Sequence, residues 1–200
     1  TATGFASADN KVAEDKKATP TIKAEYVKTL GSGSYQFQVS YDAGTDDLVA
    51  YSENDDEEAS VTGIQSFEVK LDIDDTVWDV STIKANATKG VIPGASCAYN
   101  KTTKQVVYTH SFSAKLGYIT AKTGNLFTIS VKPIDSTLDG KTAKMNYASA
   151  MMVIKGYEND VLTSETEYST LSSADYPITT KFGDDTPKAE ITGIAIDPTT

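Results

Sequence analysis

Residues 63–80 read GIQSFEVKLDIDDTVWDV, and the fold turns on how this stretch is read. Phe67, Val69, Leu71 and Ile73 alternate with Ser66, Glu68, Lys70, Asp72 and Asp74. Successive side chains of a strand point to opposite faces, so this alternation predicts one dry face and one wet face. About nine such residues reach ~30 Å, which is long for a strand. Asp74-Asp75-Thr76 interrupts the pattern, and Val77, Trp78 and Val80 resume it. The dry side locates the core. Whether the wet side is merely solvated or is a docking face is the functional question.

The same period recurs on both sides. Residues 35–41 (YQFQVSY) place Tyr35, Phe37, Val39 and Tyr41 on one face, and residues 125–132 (NLFTISVK) do so with Phe127, Ile129 and Val131 before Pro133. Residues 95–100 and 105–112 flank Lys101-Thr102-Thr103-Lys104, a hairpin pattern. Residues 21–28 and 144–155 add strands, the latter with room for a bulge at 148–150. Residues 48–51 read as a short strand, 161–170 as an edge strand or loop, and 176–182 as a final strand. Residues 81–90 read as a loop, and 114–124 as a loop or short helical turn. Thr, Ser, Tyr and Val are plentiful and no long amphipathic helical pattern interrupts them. The expectation is an all-β domain: two antiparallel sheets of about nine strands in all, packed as a β-sandwich.

Two hundred residues suffice for one domain with a substantial core. No stretch approaches the ~20 apolar residues of a membrane span. All 18 basic residues are lysines, and the net charge is −10. Nucleic acid and anionic membrane, which select basic patches and arginine forks, are therefore poor partners. The acidic balance suits a basic or neutral protein partner. The single cysteine, Cys97, excludes an intrachain disulfide and reads as a small buried hydrophobe.

The ends differ in composition from the middle. Residues 1–18 begin small and uncharged, and Ala6-Ser7-Ala8 matches the A-x-A pattern of a signal-peptide cleavage site; a plain polar tail is the alternative. Residues 19–183 hold the sandwich. Residues 184–200 open with the linker Asp-Asp-Thr-Pro-Lys. The AEITGIAIDPTT that follows is similar to the opening strand of a bacterial Ig-like group 2 domain, which implies a modular protein.

Few residues suggest chemistry. His110 is the only histidine, and a lone histidine in a strand reads as structural rather than catalytic. Zinc needs three or four His or Cys ligands, and the chain holds two such residues. The acidic run Glu53-Asn54-Asp55-Asp56-Glu57-Glu58 lacks the register of a calcium loop and reads as a solvated loop. A carbohydrate-binding sandwich would stack exposed rings on sugars. Trp78 lies in the apolar phase and reads as core, whereas Tyr51, Tyr118, Tyr157 and Tyr168, read as loop residues, stay eligible.

Three stretches from Tyr35 to Val153 resemble the cohesin family, the scaffoldin modules that bind dockerins in bacterial polysaccharide-degrading complexes. Gly63-Ile64 leading into SFEVKLDID and TVWDV is similar to the family's G-I, alternating strand and return strand, with Ile73-Asp74 in place of Tyr-Asp and Trp78 in place of Leu. Tyr118-Ile119-Thr120 followed by residues 124–132 is similar to its I-T-x-x-G segment and following strand, and residues 143–154 to its late core strand. An acidic insertion before Thr62 and the lack of a V-x-V-P-V strand depart from the pattern.

The resemblance implies a nine-stranded jelly roll that docks a dockerin on one flat sheet face. Its outward positions would be Ser66, Glu68, Lys70 and Asp72, then Ala98, Val107 and Thr109, with Ser111 beside them, and finally Leu126, Thr128 and Ser130. Val107 and Leu126 would form the apolar centre, with Glu68 and Asp72 steering a basic partner. The phase of residues 105–112 is left open by their alternation. The resemblance further implies a secreted or cell-surface bacterial module of a cellulosome or amylosome, without catalysis. It would hold no metal or cofactor of its own, since calcium would belong to the dockerin. A carbohydrate-binding sandwich of the same kind of complex, with polysaccharide as partner, is the alternative. A passive spacer or adhesin stalk is a third reading.

Overall fold

The computed structural model of the chain describes residues 20–44, 47–54, 57–88, 94–168 and 178–183. The expected leader 1–18 and the linker and Ig-like start at 184–200 lie outside the described residues. Eleven strands are described, all paired antiparallel, in two sheets. The smaller runs β1 (Thr21–Thr29), β2 (Tyr35–Asp42), β8 (Thr123–Pro133), β5 (Trp78–Ala87). The larger runs β10 (Val161–Tyr168), β9 (Thr142–Glu158), β4 (Glu57–Asp72), β7 (Gln105–Ser111), β6 (Ser96–Asn100). Beside them, β3 (Val49–Asn54) pairs with β4 and β11 (Ile178–Lys181) pairs with β9. The chain crosses between sheets after β2, β4, β5, β7 and β8, the repeated crossing of a jelly roll.

The opening stretch behaves as its period predicts. Phe67, Val69, Leu71 and Ile73 are buried, and Trp78 is among the largest fully buried side chains. β4 is longer than its alternating half because several partners share it. One side pairs with β9 from Ser60 to Asp72. The other meets β3, then a bridge in which Ile64 and Ile119 exchange backbone hydrogen bonds of 2.8 and 3.0 Å, then β7 from Ser66 to Asp72. Gly63 permits that bridge: a Cβ there would sit 2.9 Å from the Ile119 carbonyl oxygen and 3.0 Å from Tyr118 Cβ.

Aromatic rings fill the space between the sheets. Tyr108 of β7 stacks on Phe127 of β8 with centroids 5.1 Å apart. Trp78 packs against Tyr35, Phe37 and Phe182 at 5.1–5.8 Å. Phe182 follows β11 and closes the core, held by Gly140 N–H donating to its carbonyl at 2.9 Å. Burial of each such ring is worth roughly 1.5–3 kcal/mol, so these contacts dominate the cohesion of the fold.

Three expectations need correction. Residues 81–87 are not loop but the greater part of β5, an edge strand paired with β8. A register shift between Asp79 and Lys84 changes the phase of the alternation there, so its apolar residues, Val80, Ile83 and Ala85, do not keep one period. The acidic run is not simply a loop. Glu53 and Asn54 end β3, Glu57 and Glu58 begin β4, and Asn54 pairs with Glu57; Asp55 and Asp56 lie outside the described residues. Finally, Tyr51, Tyr157 and Tyr168 stand in β3, β9 and β10 rather than in loops.

Candidate docking face

The outer face of the larger sheet is assembled from β9, β4, β7 and β6. On β4 the inward residues Phe67, Val69 and Leu71 leave Ser66, Glu68, Lys70 and Asp72 outward. The phase left open on β7 is settled: Val106, Tyr108 and His110 are buried, so Val107, Thr109 and Ser111 face out. Register aligns them in rows, Ser66 with Ser111, Glu68 with Thr109, Lys70 with Val107 and Asp72 with Gln105. β6 continues the rows, with Ser96 opposite Thr109 and Ala98 opposite Val107. Ala98 is exposed.

Leu126, Thr128 and Ser130 do not belong to this face. They lie on β8, which is in the other sheet. Thr128 and Ser130 point outward from that sheet, on the far side of the sandwich, and Leu126 is 1% exposed within the core. The pairing of β2 with β8 skips a residue here, matching Val39 to Phe127 and Ser40 to Asn125. That bulge leaves Leu126 unpaired and turns both it and Phe127 inward. The strand that flanks β4 is instead β9. It sets Ser149 opposite Lys70, Met151 opposite Glu68 and Val153 opposite Ser66. Ala150, Met152 and Ile154 are buried, as alternation requires, and Val153 is buried with them, so that Met151 is the half-exposed apolar residue of this stretch.

The face therefore carries a broken apolar row, Met151, Val107 and Ala98, among hydroxyl and charged groups. Lys70 Nζ lies 3.1 Å from Glu68 Oε1, both half-exposed. Gln105 Nε2 donates to Asp72 Oδ1 at 2.9 Å, and the Ser96 and Thr109 hydroxyls are 3.2 Å apart. Lys155 pairs with Glu165 of β10 at 3.6 Å. These contacts hold long side chains in place while leaving carboxylate oxygens open to solvent and to a partner.

His110 lies beneath this face rather than on it. It is 3% exposed, ringed by Phe67, Tyr108 and Phe112, with Nδ1 3.0 Å from the Tyr108 hydroxyl. Burial pushes its pKa down to about 4, so it is neutral near pH 7. The half-buried Cys97 thiol is pushed up to about 12 by burial, which keeps it protonated and unreactive. Among the described residues no cluster of His, Cys, Asp and Glu suits a metal ion. The tyrosines eligible as sugar platforms are engaged. Tyr118 is buried, Lys115 Nζ lies 4.4 Å over the Tyr157 ring, and Tyr168 packs against the core.

No family model matches the chain, and no curated protein matches it in sequence. Solved type I cohesin modules match it in structure over most of its length. One is a chain of a type I cohesin–dockerin complex from Clostridium thermocellum, 13% identical, TM-score 0.48, covering 84% of this chain and 99% of that one. Another is the structure of a third cohesin in complex with a dockerin from Acetivibrio cellulolyticus, 13% identical, TM-score 0.43, covering 77% and 100%. The full-length major pilin of Corynebacterium diphtheriae is also similar, at 13% identity and TM-score 0.40, over 81% of this chain and 34% of that one. The sandwich described above rests on the chain's own strand pairing.

Proposed function

We propose that this chain is a secreted or cell-surface bacterial binding module that docks a dockerin-bearing enzyme or scaffoldin, without catalysis of its own. The carrying observation is the outer face of the larger sheet, where Val107 and Met151 sit directly beside Lys70 and Glu68. Apolar atoms ringed by hydrogen-bonding and charged groups make the centre and rim of a protein interface. The motifs at residues 63–80, 118–132 and 143–154 supply the cohesin reading. Docking is rigid-body, since paired strands hold the face before the partner arrives. Calcium belongs to the dockerin.

Calcium-loaded dockerins from the same genome, passed over the immobilised full chain with starch, cellulose and xylan in parallel, test the proposal. Retention of at least one dockerin, lost on Val107→Asp with the melting temperature unchanged, is the expected outcome. Retention on polysaccharide with no dockerin bound would replace this reading by the carbohydrate-binding one.

A further inference from the structure

The outer face of the smaller sheet carries a shallow depression of about 410 Å³, where β1, β2 and β8 run side by side. Small-molecule sites fall in the range of roughly 300–1,000 Å³. Register fixes the lining. Thr21 lies opposite Asp42, which lies opposite Thr123 on its other side. Lys23 lies opposite Ser40, which lies opposite Asn125. Ile22 and Tyr41 between them point into the core, so these six side chains stand together on the outer face. Three strands ~4.8 Å apart, with rows ~6.8 Å apart, make a grid ~10 Å wide.

The floor is held from the core side. Gly124 pairs with Tyr41, whose ring lies across it: a Cβ on Gly124 would sit 2.8 Å from Tyr41 Cε1. The Tyr41 hydroxyl donates to the Ala121 carbonyl at 2.8 Å, and Ala43 N–H donates to the Lys122 carbonyl at 2.8 Å. The segment that leads into β8 is thereby fastened to the end of β2. Asp42 is oriented by Gly44 N–H, which donates to Oδ1 at 2.8 Å and leaves Oδ2 to a ligand.

The chemistry of the lining selects what can bind. Three hydroxyls, an amide, a carboxylate and an ammonium group converge, and no apolar side chain is exposed among them. The hydroxyls and the amide both donate and accept, Asp42 only accepts and Lys23 only donates. Lys23 pairs with Glu25, so the cation is offset and Asp42 remains. An anion gains nothing here, on a chain of net charge −10, and an apolar molecule finds no surface to cover. A neutral molecule fits, provided its neighbouring hydroxyls each donate and accept. Lys23, Thr123 and Asn125 are exposed, so water holds their polar ends until such a molecule replaces it.

We propose that the depression binds one or two rings of a neutral glycan through their hydroxyls, on the side of the sandwich away from the docking face. It stands apart from the docking proposal, since no residue of β4, β6, β7 or β9 takes part. Each hydrogen bond to the sugar replaces one to water, and no aromatic ring is exposed there for stacking, so the dissociation constant is in the ~1 mM range.

The test is a titration of the isotope-labelled full chain with maltohexaose, cellohexaose and xylohexaose, followed by backbone amide NMR. Saturable shifts at residues 21–23, 40–42 and 123–125 with at least one of the three are expected, and the sugar that produces them gives the linkage recognised. Asn125→Ala and Asp42→Asn should each weaken binding roughly fivefold, the worth of one net hydrogen bond. Thr128→Ala, on the same strand but outside the depression, should leave it unchanged. No shifts with any of the three at ~10 mM, well above the expected constant, would overturn the site, as would shifts confined to other residues. Tighter binding of an oligogalacturonate, whose rings carry carboxylates, would overturn the neutral class. The parent's own shift map decides even where a variant loses structure.

Discussion

The two outer faces of the sandwich are built by the same rule and differ in what the rule leaves outside. On the smaller sheet, Gln36, Gln38, Thr128, Ser130, Lys84 and Asn86 face solvent, with Lys23 paired to Glu25 near the edge. The Gln38 amide is engaged by the backbone, donating to the Phe127 carbonyl at 3.1 Å. On the larger sheet, the half-exposed outward residues include Val107 and Met151 beside the charges of β4. Both faces show the alternation of half-buried strands. A polar outer face needs no partner, because water satisfies it. A mixed one has apolar area that only a partner removes from water. The contrast, more than the presence of a flat sheet, singles out the larger face.

The strongest challenge to this contrast is Leu126→Asp. It places a charge in the core of the smaller sheet and is expected to cost more than ~4 kcal/mol, the range of a buried unpaired charge. Met151→Asp, in the outward phase, should leave the urea midpoint nearly unchanged. Equal midpoints for the two variants would break the assignment of inside and outside.

Acid should loosen the larger sheet from within. His110 titrates near 4 when folded and near 6.5 when unfolded, so the unfolded chain takes up its proton first. Its contribution is whole above pH 6.5, declines as pH falls, and is gone below about 4. At ~1.4 kcal/mol per unit the loss is about 3 kcal/mol. His110→Phe should flatten this part of a pH series of urea unfolding. An equally steep decline in that variant would assign the acid sensitivity to other groups.

For binding, Val107→Asp combined with Met151→Asp should weaken dockerin affinity by ~100-fold, about 2.7 kcal/mol. Thr128→Asp combined with Ser130→Asp, on the opposite face, should leave it unchanged, and calorimetry distinguishes the two. A loss caused by the second pair would exchange the roles of the faces. Glu68→Lys should have a smaller effect, roughly tenfold, mostly on the association rate and fading with salt. Stopped-flow measurements at two ionic strengths would show it.

Much of the fold is legible in residues that keep a strict period. β2, the alternating half of β4 and the β6–β7 hairpin follow from alternation and from a turn whose Asn100 side chain accepts from Thr102 N–H at 2.9 Å. β5 is illegible for a definite reason: its register shift changes the phase midway, and a local pattern reader sees an end. Leu126 fails in the same way, since one unpaired residue turns two consecutive side chains inward. Of the candidate site, Ser66, Glu68, Lys70, Asp72, Ala98, Val107 and Thr109 do share a face. Met151 is missed because residues 144–155 read as core, where two consecutive methionines conceal which one faces out. The ion pair of Lys115 with Asp160 has no sequence signal at all, since its partners are 45 residues apart and meet only in the fold.

Residues 63–80, taken alone, determine a long strand with an inward row from Phe67 to Ile73 and an outward row from Ser66 to Asp72, and the recurrence of the same period along the sequence gives the all-β class. These follow from backbone geometry between adjacent residues, which a short stretch carries in full. Only the tertiary structure decides that β9, and not β8, lies beside β4, and hence whether Met151 or Thr128 stands next to Glu68. Strand order is set by contacts between segments some eighty residues apart, through bulges and crossings whose energies no local period records.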